Sequence, residues 1–75
     1  MIESLVLIEG KDVKEEELRS TSLGNALQLV IGRDHRFGVI LNITADSPDD
    51  LQNALIKFAQ VSEVKGIITL MLRHT

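Results

Sequence analysis

Arg33, Asp34, His35 and Arg36 are four consecutive ionisable side chains of both signs, and Gly32 precedes them. They supply a carboxylate, an imidazole and two guanidiniums, the groups an active site would draw on. Nucleophilic catalysis also needs a hydroxyl or thiol activated by a neighbouring base. No nucleophile lies near this group in sequence, nothing marks Ser20, Thr21 or Ser22 as activated, and the chain has no cysteine. The chemistry left is recognition: Arg33 and Arg36 could hold a carboxylate, and Gly32 would let backbone approach it closely. The alternative is a solvated hairpin turn, since charged and glycine-containing turns are common. On that reading Gly32 is a bulge or turn residue.

The remaining charged groups read structurally. Glu15, Glu16 and Glu17 begin a helix, and three adjacent side chains do not converge on one metal ion. Asp49 and Asp50 place negative charge at the positive end of a helix dipole. There is no glycine-rich phosphate loop, no set of metal ligands and no feature that calls for a cofactor.

The elements that carry these residues follow from hydropathy. Ser47 is an N-cap and Pro48 stands where a missing N–H costs nothing, so a helix begins at Pro48. Leu51, Ala54, Leu55, Phe58 and Val61 form its apolar stripe. Gly66 then leads into Ile67–Leu72, a β-rich run. Ile2–Glu9 is the first strand. Asp12 caps a short, weak helix, with Glu15 at the reciprocal position. Leu27–Ile31 and Phe37–Ala45 are the second and third strands, joined as a hairpin. The chain of 75 residues is one domain, 1–75.

Strand, helix, strand, strand, helix, strand predicts an α+β fold, a ferredoxin-like βαββαβ sandwich with a four-stranded antiparallel sheet and two helices on one face. Crossover handedness is taken to place the first and third strands side by side and parallel in the centre, with the second and fourth at the edges. In that arrangement His35 and His74 lie along one rim near opposite edges, roughly 14 Å apart at about 4.8 Å per spacing. One metal ion cannot span them.

Two helices cover one face, yet the strands carry apolar residues in both alternating sets. If Val39, Leu41 and Ile43 meet the helices, Ile40, Asn42 and Thr44 point away. The same alternation leaves Ile67, Thr69 and Met71 outside. In the first strand both Leu5 with Leu7 and Val6 with Ile8 are apolar and either set could face the helices; Val6 and Ile8 are the interface candidates. These residues predict an oligomer or partner interface, because an exposed patch of that size is unusual for a monomer. A semi-polar exposed sheet, relieved by Asn42, Thr44 and Thr69, is the alternative.

Composition narrows the partners. Hydrophobic residues are 44% of the chain and aromatics 3%, so the core is aliphatic. The net charge of -3 argues against direct nucleic-acid binding, which needs clustered cations and stacking aromatics. No segment is long enough to cross a membrane, and Glu3 stands where a signal peptide would be basic, so a cytoplasmic protein is expected.

Short motifs carry two resemblances. VLIEG near the start, GRD before the third strand, ITADSPDDL entering the second helix and VKGIITLML at the end resemble the ligand-binding RAM domain of the Lrp/AsnC regulators, without a DNA-binding helix-turn-helix. That resemblance implies a non-enzymatic regulatory module that packs sheet faces into dimers or larger rings. It implies an amino-acid-like effector near the hairpin, with Gly32, Arg33, Asp34 and Arg36 as ligand-binding candidates. SLVL at Ser4–Leu7, ADSPDDL and a last strand closing on His74 are also similar to the small cytoplasmic chaperone of periplasmic nitrate reductase. This second resemblance implies the same fold and a twin-arginine signal peptide bound on the open sheet face or its edge.

Overall fold

The structure, a computed structural model, describes residues 1–74. Its elements are β1 (Ile2–Glu9), α1 (Glu15–Arg19), β2 (Ala26–Asp34), β3 (Gly38–Ala45), α2 (Pro48–Ala59) and β4 (Gly66–His74). The four strands form one antiparallel sheet in the order β2-β3-β1-β4, and the helices lie on one side of it. Among the described residues no helix is long and apolar enough to cross a membrane.

β1 and β3 are neighbours but run antiparallel, which corrects the expected parallel pair. The chain direction explains it. A helical crossover returns β2 in the direction of β1, and the hairpin then reverses β3. The same tracing separates the histidines: His74 pairs with Ile2 at one end of the sheet, while His35 lies in the hairpin turn at the other.

α2 forms where its cap and stripe predict. The Ser47 hydroxyl accepts a hydrogen bond from the Asp50 N–H at 3.2 Å and donates to the Asp50 carboxylate at 2.9 Å. Leu51, Ala54 and Phe58 are buried, whereas Leu55 is only half-buried against the core. α1 is a five-residue helix that starts at Glu15, and Lys14, not Asp12, precedes it without a side-chain cap. Its anchors are Val13 and Leu18, both buried, and two side chains of β2. Gln28 donates to the Leu18 carbonyl at 2.5 Å, and Arg33 reaches the Val13 carbonyl.

The core lies between the helices and one set of strand residues: Ile2, Val6 and Ile8 of β1, Val39, Leu41 and Ile43 of β3, with Ala26 and Ala45. Val6 and Ile8 are therefore core residues, fully buried, and cannot form an outer interface. The other set of β1, half-buried on the open side, is Glu3, Leu5, Leu7 and Glu9.

Both edge strands are irregular. Ile31 has no partner between Val30 and Gly32, and Leu70 has none between Thr69 and Met71. Each extra residue changes which way the strand alternates beyond it. In β4 this puts Ile67 and Thr69 on the helix side, since they pair with core-facing Ile8 and Val6, while Met71 pairs with Leu5 on the open side. The outward placement expected for Ile67 and Thr69 is thus reversed, and Ile67 packs against the core. Buried Ser4 holds the irregularity by donating to the Met71 carbonyl at 3.0 Å.

Truncating Phe58 tests this core. Phe58→Ala should cost about 3–5 kcal/mol, comparable to the whole net stability of so small a domain, and Leu55→Ala clearly less. Urea unfolding followed by circular dichroism should find the first variant largely unfolded in buffer and the second folded.

Candidate functional site

The side of the sheet away from the helices is uncovered and mostly apolar. Paired residues run across it in rows: Leu27, Thr44, Glu3 and Arg73; then Leu29, Asn42, Leu5 and Met71; then Gly32, Ile40, Leu7 and Ile68. On the outer strands Leu27 is 76% exposed, Leu29 63% and Met71 47%. Leu5, Leu7, Ile40 and Asn42 on the inner strands are half-buried between them. The face thus has an apolar centre at Leu5, Leu7 and Ile40, interrupted by Asn42, with more exposed apolar side chains on the edge strands.

One end of this face is polar and preorganised. Glu3 accepts a hydrogen bond from Asn42 at 3.3 Å and an ion pair from Arg73. The Asn42 donor, followed by the Arg73 hydrogen bond and charge, holds the Glu3 carboxyl below the usual carboxylate range. Asn42 is therefore committed to a same-face carboxylate, not left as a lone polar residue among apolar ones.

The charged hairpin does not assemble into one site. Arg33 turns to the helix side, where it reaches the carbonyls of Lys11 and Val13 and lies 3.6 Å from the Glu15 carboxylate. It fastens the loop before α1. Asp34 accepts from the Arg36 N–H at 2.8 Å and the Phe37 N–H at 3.2 Å, closing the turn. The Arg36 N–H first, with the Phe37 N–H and the Arg36 charge behind it, holds the Asp34 carboxyl below its usual range. Arg36 is exposed and stacks its guanidinium 5.3 Å from the Phe37 ring. Gly32 belongs to β2, and a side chain there would meet open space.

A hollow of ≈ 420 Å³ lies beside the turn, bounded among others by Lys11, Asp12, Arg36, Phe37, Glu63 and Lys65. Of the four ligand-binding candidates it includes only Arg36. Its floor is backbone: Gly10, at φ 143°, abuts the Glu63 carbonyl, and Gly10 donates to the Phe37 carbonyl at 2.8 Å. A Cβ at Gly10 would collide there. Among the described residues no three His, Cys, Asp or Glu side chains group where one metal ion could bind.

Of the interface candidates, Ile40, Asn42 and Met71 lie on the open face; Val6, Ile8, Ile67 and Thr69 do not. Sequence reasoning missed Leu5, Leu7, Leu27, Leu29 and Ile68. For β1 a signal was present: Leu5 and Leu7 share their alternation with Glu3 and Glu9, and charged ends mark a solvent-facing set. No family model, curated protein or solved structure matches the chain.

Because the Glu3 pKa is depressed in the folded chain, ionised Glu3 stabilises the fold above the ordinary glutamate range. That contribution is lost as pH falls through the depressed value. Glu3→Gln should lower stability at neutral pH and flatten the further loss on acidification, so that the two proteins converge in acid. Urea midpoints measured from neutral pH down to the carboxylate range check this.

Proposed function

We propose that this chain is a non-enzymatic, ferredoxin-like binding module whose working surface is the open face of its sheet, and that the occupant of that face is a peptide. The observation that supports the reading is the apolar surface of that face. Leu5, Leu7 and Ile40 form its apolar centre, Leu27, Leu29, Ile68 and Met71 its exposed apolar border, and the buried core lies behind it. Its outer strands are three spacings apart, about 14 Å. That width suits one helix of about 10–12 Å diameter or one extended segment. The irregularities at Ile31 and Leu70 interrupt straight strand addition at either edge, which favours the face.

Charge favours a basic occupant. The chain carries a net charge of -3, and Glu9, at the end of β1 away from the Glu3–Arg73 pair, makes no ion pair among the described residues. A basic, Arg-Arg-containing segment of the kind a twin-arginine signal peptide supplies fits this pattern. The module is then a cytoplasmic peptide chaperone, in line with the second resemblance.

A second reading is favoured by the extent of the apolar face. Face-to-face packing with another copy would hide Leu5, Leu7, Leu29 and Ile40 in a sandwich about 10 Å thick. This is the oligomeric regulatory module of the first resemblance. Its amino-acid-like effector has less support, because Arg33 and Asp34 are already engaged within the chain.

Binding of a basic Arg-Arg peptide at a hundredfold excess over Kd should stabilise the fold by about 2.7 kcal/mol. For a domain of this size that raises Tm by about 10 °C or more. Ile40→Asp should abolish the rise while leaving the circular dichroism spectrum unchanged. No rise with any basic peptide, together with a loss of mass in Ile40→Asp, would favour the face-to-face oligomer instead.

A further inference from the structure

The open face leaves one apolar surface unexplained. Leu72 is on the helix side of β4, yet it is 52% exposed, because α2 does not reach that part of the edge strand. From Ile68 to Leu72 the strand is exposed on both sides and bears no charge. A partner on the open face would leave Leu72 bare. A strand laid against the β4 edge would cover both sides at once.

We infer that the β4 edge pairs antiparallel with the β4 edge of a second copy, joining the two sheets into one of eight strands. The irregularity at Leu70 selects this partner. In a two-fold arrangement the residues that meet must face the same way, and beyond Leu70 the alternation of β4 is reversed. A straight strand meets mismatched faces on one side or the other of Leu70. A second β4 carries the same irregularity, so the faces match on both sides of it, and only the central Thr69 and Leu70, set against each other, are left unmatched.

The register that aligns them sets Ile68 against Met71 of the other copy on the open side and Ile67 against Leu72 on the helix side. It also sets Gly66 against Arg73. That last match is one of charge. The Glu9 carboxylate leans over Gly66, where an oxygen would lie 2.8 Å from a Cβ, and Glu9 makes no ion pair among the described residues. The glycine gap lets Glu9 reach the Arg73 guanidinium arriving from the other copy. Arg73 has donors to spare beyond those it gives Glu3. The paired edge is short, about 26 Å for the eight residues 66–73 at about 3.3 Å each, so the dimer should dissociate on dilution.

This pairing shares only Glu9 with whatever occupies the open face, and the test separates the two. Sedimentation equilibrium should show a concentration-dependent species of twice the 8.3 kDa chain mass. Leu72→Lys should leave only monomer at every concentration, with the peptide-induced rise in Tm unchanged, since Leu72 is not on the open face. In this cysteine-free chain Ile68→Cys with Met71→Cys should oxidise to a covalent dimer, whereas either change alone should not. Within one chain those positions are roughly 10 Å apart along the strand, too far for a disulfide. Monomer at the highest soluble concentration, a dimer that Leu72→Lys does not weaken, or single-cysteine variants that cross-link as well as the pair would overturn the inference. A Leu72-sensitive dimer that binds no peptide would leave it standing and remove the peptide reading.

Discussion

A four-stranded sheet has two faces, and this chain has helix enough for one. α1 contributes five residues and α2 twelve, and between them they bury a single set of strand side chains around Phe58, Leu18 and Leu41. The strands nevertheless carry leucine, isoleucine and methionine on the other side as well. Burial of apolar surface is the main driving force of folding, at roughly 25 cal/mol per Å². In the lone chain that stabilisation is forgone on the open face. The surface proposed for binding is thus where the packing of the single chain stops.

Much of the polar chemistry is committed to fold maintenance. Arg33 ties a loop to the sheet and so compensates for the brevity of α1, which has no side-chain cap of its own. Asp34 closes a turn, Ser4 stabilises an irregular edge, and Ser47 with Asp50 begins α2. A side chain that satisfies backbone groups in this way cannot also be free for a ligand without loosening its element. What is left for recognition is apolar surface framed by a few charges. Such a surface selects partners by shape and hydropathy more than by directed hydrogen bonds.

The element order, the α2 cap and the α2 stripe were legible because each rests on local rules: a hydroxyl before a proline, an apolar residue every third or fourth position. The existence of an uncovered apolar face was legible too, from counting helices against strand residues. Which residues lie on it was harder. In β1 both alternating sets are apolar in the middle, and only the charged ends, Glu3 and Glu9, distinguish them. In β4 the inserted Leu70 shifts the alternation, and an irregularity of this kind depends on cross-strand pairing, which sequence periodicity does not contain. The hairpin misled for a different reason. Four adjacent charges suggest convergence, but Arg33 is a strand residue facing the helix side while Arg36 lies in the turn beyond the end of β2, so they serve different neighbours.

The central claim is that the face away from the helices is where this protein meets another molecule. Methyl-resolved NMR of the chain, with and without a basic Arg-Arg peptide, tests it most directly. The account predicts that the methyl signals of Leu5, Leu7, Leu29, Ile40 and Met71 shift together, while those of Val6, Ile8, Leu41 and Ile43 barely move. Shifts confined to the hairpin around Phe37, or to the outer side of α2 at Ile56, would contradict it.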